Sequence, residues 1–320
     1  MRAVRVHEHG GADVLTLDDV PEPAAGPGEV LVRLGATGVN FIDTYHRSGQ
    51  YRANLPITLG SEGAGEVVAV GDGVEGISVG QHVGSTNLAG AYAELATVPA
   101  ERVVSIPHGV ADETAAAALL QGMTAHYLLH DSYPVKPGDT VLVHAAAGGM
   151  GLLLTQLASR MGVRVIGTVS TPEKAELARI AGADEVFDYE GIAANVRALT
   201  GGEGVAAVYD GVGASTFEAS LASVRRHGVL VVYGAASGPV PPVDVQRLSA
   251  AGSIYLTRPT LVHFIATPAD LARRGGDVLR WVAEGSLDIR IGGRYELADA
   301  ARAHADLEAR RTTGKLVLIP

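Results

Sequence analysis

Apolar and polar positions along the chain change rhythm about a third of the way in. Up to about residue 107 the pattern is short β-rich runs: RAVRV (2–6), VLTLDDV (14–20), EVLVRLGATGV (29–39), GEVVAVG (65–71), AYAELATV (91–98) and RVVSI (102–106). Turns such as PEPAAGPGE and GDGVEG separate them, and this spacing predicts a compact, barrel-like β domain. An Ala-rich helix is predicted over 112–131, broken at Gln121 and Gly122, with the break marking the passage between domains. Beyond it, TVLVH (140–144), VRVIGTV (163–169), DEVFD (184–188), VAAVYD (205–210), GVLVVYG (228–234) and SIYLT (253–257) mostly alternate with helical segments. Six strands joined by crossovers predict an open, doubly wound parallel α/β sheet covered on both faces. The tail holds helical stretches around 268–284 and 297–311 and ends in KLVLI, a strand expected to return to the first domain. No internal repeat is visible.

A length of 320 residues fits two domains. A net charge of −10 supplies no basic excess for a phosphate backbone or an anionic membrane surface, so neither nucleic acid nor membrane is an expected partner. The absence of cysteine removes disulfides, thiolate nucleophiles, iron–sulfur clusters and every Cys-bearing zinc site. The opening MRAVRVHEHGG lacks a signal-peptide pattern, which points to the cytoplasm. Residues 140–159 carry no charge, but the AAAGGMG in their middle makes them a strand, a glycine turn and a helix rather than a membrane span.

That turn carries the first chemical signal. Ala146, Gly148 and Gly151 stand at the three fixed positions of G-x-G-x-x-G, with alanine replacing the first glycine. Because the motif follows a strand and opens a helix, the N–H groups of Gly148, Gly149, Met150 and Gly151 can receive a pyrophosphate; the competing reading is a glycine turn that only packs helix on sheet. At the end of the second strand an NAD site usually offers an acid, whereas this chain has Ser170 and Thr171. Thr171 reads as an N-cap with Pro172 first in the helix, which places Lys174 in a first turn whose dipole disfavours a cation. One of only three lysines in the chain, Lys174 suits the 2′-phosphate of NADPH, with Tyr189 as a second contact. The alternative is a solvated charge paired with Glu173 or Glu176.

Together NFIDTYHRSGQY (40–51), LGSEGAGEVVAVG (59–71), HAAAGGMG (144–151), GTVSTPEKAELA (167–178), VYDGVG (208–213), LTRP (256–259) and GKLVLIP (314–320) resemble the zinc-independent quinone oxidoreductase branch of the medium-chain dehydrogenase/reductase superfamily, which includes zeta-crystallin. The resemblance implies a GroES-like catalytic domain (1–121), a Rossmann NADPH-binding domain (122–257) and a return segment of the catalytic domain (258–320). It also implies a homodimer joined through edge strands of the Rossmann sheets, for which SIYLT is the candidate edge. Further implied are Asn40 and Tyr45 near the nicotinamide, Thr124 near its amide or ribose, and Gly211, Gly234, Ala235 and Thr257 along the cofactor cleft between the domains. Arg310, in the last helix, is implied at the 2′-phosphate end. Tyr51 matches the proton donor of related enoyl-thioester reductases, a role open to a phenol because it is ordinarily protonated at neutral pH. Core or rim packing is the competing reading for each tyrosine.

Zinc relatives carry a metal-binding histidine where this chain has Ser61, between Gly60 and Glu62, so a zinc alkoxide is not expected. His126 and His130, and His7 and His9, are spaced like ligand pairs but lack a third partner. GISVG (76–80) fits the serine-hydrolase pentapeptide but no helix follows it, and Gly314–Lys315 leads into a strand where a P-loop leads into a helix. The sequence therefore points to an NADPH-dependent, zinc-free reductase of small-molecule quinones or enones. A 2-enoyl or alkenal reductase, and an NADPH-loaded structural or RNA-binding protein, remain as alternatives.

Overall fold

In the computed structural model, which describes residues 1–320, the β-branched runs of the chain's middle third build one parallel sheet. Its strands lie in the order Glu185–Phe187, Arg164–Thr168, Thr140–Val143, Val205–Asp210, Val224–Val232, Tyr255–Thr257. In chain order this is 3-2-1-4-5-6, the dinucleotide-binding arrangement, whose direction of winding reverses beside the first strand. Every residue of Val205–Asp210 is buried, which is why that strand reads as one apolar run instead of alternating. Leu142, Ile166, Val208 and Leu230 from the sheet pack with Ile192, Val196, Phe217 and Leu221 from the helices Ile192–Leu199 and Phe217–Ser223. Only Tyr255–Thr257 of SIYLT pairs, since Ser253 adopts a left-handed φ of 55°.

The remaining chain forms a second sheet whose spine is the long strand Glu29–Val39. Its first half pairs with Leu95–Pro99, and its end pairs antiparallel with the last strand, Lys315–Ile319, so the terminal strand does return to the first part of the chain. Gly63–Val70, His82–Ser85 and Val104–Ser105 extend the sheet on one side and Ile291–Glu296 on the other. A small sheet of Leu15–Asp19, Arg2–Val6 and Ile57–Thr58 accompanies it. The expected strand AYAELATV shortens to Leu95–Pro99, because Tyr92 and its neighbours turn into the core.

The helix expected to break at Gln121 and Gly122 does not. Asp112–Tyr127 is continuous and runs into a π-turn, Leu128–Ser132. Gly122 serves packing there: a Cβ on it would fall 2.6 Å from Val278 Cγ1 of the helix Pro268–Ala283. Compact units comprise residues 1–123 with 265–320, and residues 124–264. No helix is long and apolar enough to cross a membrane.

Candidate active site

Beyond the first parallel strand the chain makes a sharp turn, with Ala145 at φ 52°, before the helix Gly149–Arg160 begins at its N-cap Gly148. Ala146 N–H donates to Thr168 O across to the second strand, and Gly148 N–H closes the turn on Ala145 O. A Cβ on Gly151 would fall 2.2 Å from Ala145 O, so only glycine lets this helix approach the turn. No side chain caps the helix and no acid stands in its first turn, leaving its leading N–H groups and positive dipole end suited to an anion. Gly211 and Gly234, at the ends of the fourth and fifth strands, lie against each other: a Cβ on Gly234 would meet Gly211 O at 2.5 Å.

Beneath the turn is a buried polar cluster that the sequence did not flag. Asp210 accepts from the N–H groups of Val212 and Gly213 and from the hydroxyls of Thr216 and Ser220. His144 Nε2 lies 2.9 Å from Ser220 Oγ, and its Nδ1 2.8 Å from Thr168 Oγ1. Burial pushes the His144 imidazole down, against a smaller opposing pull from Asp210, and so favours the neutral ring. Tyr189 stacks on that ring at 6.0 Å.

Thr171 caps the helix Pro172–Ile180 by accepting from Lys174 N–H, with Pro172 in the first turn, as its sequence predicts. Lys174 Nζ lies 3.4 Å from the exposed Ser170 hydroxyl. Glu173 bonds its own backbone N–H and Thr171, which hold its carboxyl below the usual range, and Glu176 faces Arg179 at 3.7 Å. Arg310, expected in the last helix, lies beyond the end of Ala300–Glu308 in a left-handed conformation, φ 56°, exposed. Thr257 closes the edge strand, and Thr124 is buried within the helix Asp112–Tyr127.

NFIDTY forms the start of a two-turn helix, Phe41–Ser48, with Asn40 before it. The side chain of Asn40 is buried and held at both ends: Nδ2 donates to Glu62 Oε2 at 2.8 Å, and Oδ1 accepts from Lys315 Nζ at 2.5 Å. Glu62, itself fully buried, also accepts from Lys315 Nζ at 2.6 Å and from Leu120 N–H. Lys315, outside any P-loop, opens an otherwise apolar strand, a readable sign of the buried ion pair it makes. Tyr45 is buried, and its ring meets that of Tyr51 edge-on at 5.3 Å; Tyr51 is 37% exposed.

This constellation does not suit zinc. The chain has no cysteine, Ser61 replaces the histidine, the neighbouring Glu62 already carries the Lys315 ammonium, and no group of three or more potential ligands is assembled. His7 contacts Asp18, and His130 bonds the carbonyl of His126.

Two family models match: the alcohol dehydrogenase GroES-like domain over residues 26–108 and the zinc-binding dehydrogenase domain over 149–272. A quinone oxidoreductase of Pseudomonas aeruginosa is 48% identical over 100% of this chain and 99% of its own. The chain belongs to the quinone oxidoreductases of the medium-chain dehydrogenase/reductase superfamily. Within this family, a 2-haloacrylate reductase of Burkholderia is 40% identical over 99% of this chain and 98% of its own. A mycobacterial protein solved in complex with NADPH superposes with a TM-score of 0.98 at 57% identity, covering 100% of both chains.

Proposed function

We propose that this chain is an NADPH-dependent reductase that passes a hydride directly to quinones without a metal. The observation that carries the reading is Lys174 beside Ser170 at the end of the second parallel strand, where an NAD site offers an acid. A 2′-phosphate accepts charge-assisted bonds from an ammonium and a hydroxyl, whereas a carboxylate there would repel it. The first-turn N–H groups of Gly149, Met150 and Gly151 would hold the pyrophosphate, and Gly211, Gly234, Ala235, Tyr189 and Thr257 would border the cofactor. Asn40, Tyr45 and Thr124 would orient the nicotinamide; Arg310 would add positive charge at the phosphate end.

NADPH supplies a hydride from nicotinamide C4. A quinone that accepts this hydride and one proton becomes a hydroquinone, so the chain's own work is orientation, water exclusion and proton supply. Tyr51, 37% exposed, would supply that proton from its hydroxyl. Loss of NADPH absorbance against a panel of quinones and 2-enals tests the proposal: quinone-dependent oxidation supports it, and oxidation with none of them removes it.

A second reading, reduction of activated double bonds, is favoured by the similarity to a haloacrylate reductase. Hydride would then go to the β-carbon and a proton to the α-carbon. A homodimer is also proposed, through the edge strand Tyr255–Thr257, where Tyr255 is 65% exposed and Val245 and Val262 are also exposed.

A further inference from the structure

We propose that Asp43, Tyr92 and His304 are positioning residues for the reaction, pinning the helix Phe41–Ser48 from behind so that its opposite face presents Tyr45. The inference rests on the reading above that Tyr45 lies at the nicotinamide.

A helix of eight residues has little stability of its own, so its orientation must come from tertiary contacts. Asp43 and Arg47 stand four residues apart and share one face; Tyr45, midway between them, points about 180° away at 100° per residue. On the shared face, Asp43 Oδ2 accepts from Asn40 N–H at 2.8 Å and from the Tyr92 hydroxyl at 3.0 Å. Tyr92 Oη lies 3.0 Å from His304 Nε2, and His304 Nδ1 lies 3.0 Å from Arg47 Nη1. Arg47 completes the circuit with two bonds to Glu308, at 3.0 and 2.7 Å, and one to Gly10 O.

Proton positions in this circuit are fixed by elimination. A guanidinium only donates, so His304 Nδ1 accepts; burial, helped by the Arg47 charge, pushes the His304 pKa down to about 3, which leaves a neutral ring with its proton on Nε2. That proton goes to Tyr92, whose own proton goes to Asp43. Donation thus runs one way from the last turn of the helix to its first, through side chains of a strand-flanking loop and of the C-terminal helix Ala300–Glu308. Removing any link leaves a buried polar group without its partner and frees the helix to turn.

Asp43 is the titrating member. Burial raises its pKa to about 7 against the smaller lowering by Asn40 N–H, Tyr92 and Lys315, with Glu62 adding a further raise. Arg47, Glu308 and His304 are the other charged or titratable groups facing the circuit. Protonation below neutrality weakens Asp43 as an acceptor for Tyr92, so the catalytic rate should fall on that limb.

The test compares wild type with Tyr92→Phe and Asp43→Asn in three readouts: NADPH affinity, kcat against pH with a quinone, and melting temperature. We expect NADPH affinity to stay within about twofold while kcat falls about tenfold or more, as small misplacements do. The acidic limb near pH 7 should vanish in Asp43→Asn and shift in Tyr92→Phe. Unchanged kcat and unchanged pH profiles in both variants would overturn the proposal, as would a loss of kcat that only tracks melting temperature while the limb persists in Asp43→Asn. Should Tyr92→Phe fail to fold, His304→Leu, which removes the bond to the Tyr92 hydroxyl, replaces it with the same expectation for the pH limb. Failure of wild type to bind NADPH at all would overturn the functional reading and this inference with it, an outcome distinct from normal binding with a flat profile.

Discussion

On the proposed reading, a single lysine, Lys174, carries the choice of cofactor. A charge-assisted bond of about 1.5–3 kcal/mol corresponds to roughly 10- to 100-fold in affinity. Lys174→Ala should therefore raise the dissociation constant of NADPH by that factor and leave that of NADH nearly unchanged, as read by fluorescence titration. Equal losses for both cofactors would remove the assignment. Gly151 makes the matching steric case: Ala in its place sets a Cβ against Ala145 O, so Gly151→Ala should lower the melting temperature and weaken NADPH and NADH together. Residues with local signatures, such as Thr171 and Pro172 at a helix start, were legible in the sequence. Lys315 was legible only in part: a lysine opening an apolar strand signals a buried ion pair, but nothing local names its partners Asn40 and Glu62, 275 and 253 residues away.

Among the helices and strands, a glycine inside a helix is ambiguous in local sequence, as Gly122 shows. Gly122 was expected to interrupt its helix but admits a neighbouring one instead, since the absence of a side chain both lowers helix propensity and opens room for contact. Short strands such as His82–Ser85 and Ile57–Thr58 were missed because so few residues carry too little alternation to read. The buried circuit behind Phe41–Ser48 has a linked effect on stability. Asp43, with its pKa raised to about 7, gives the folded state most support when both states are protonated, and that support is lost as pH rises from about 4 through 7. His304, depressed to about 3, acts in the opposite sense: its contribution is complete above pH 6.5 and is lost as pH falls toward 3. Asp43→Asn should therefore flatten the fall in stability between pH 5 and 7.5, a difference of a few kcal/mol in denaturant melts at most, while wild type keeps its slope.

Across the molecule, the doubly wound parallel sheet was legible in outline, because alternating strands and helices with right-handed crossovers leave few arrangements, whereas the order of its strands was not read from the sequence. The return of the last strand to the first sheet was equally readable from its apolar pattern, and it pairs with Val39, Gly38 and Thr37. The proposed homodimer makes use of the exposed edge strand. If Tyr255–Thr257 pairs with its copy, Tyr255→Asp should convert a dimer into a monomer in sedimentation measurements and leave NADPH binding intact. A wild-type monomer at micromolar concentration would contradict that expectation.

Direct transfer from NADPH to a quinone, unaided by metal, is the claim on which the account depends. Single-turnover reduction of a soluble quinone by NADPH carrying deuterium at the transferred position of C4, with and without exhaustive chelation, tests it most directly. The account predicts a primary isotope effect on the rate and no change on chelation. A rate abolished by the chelator and restored by zinc, or no turnover with any quinone, would contradict it.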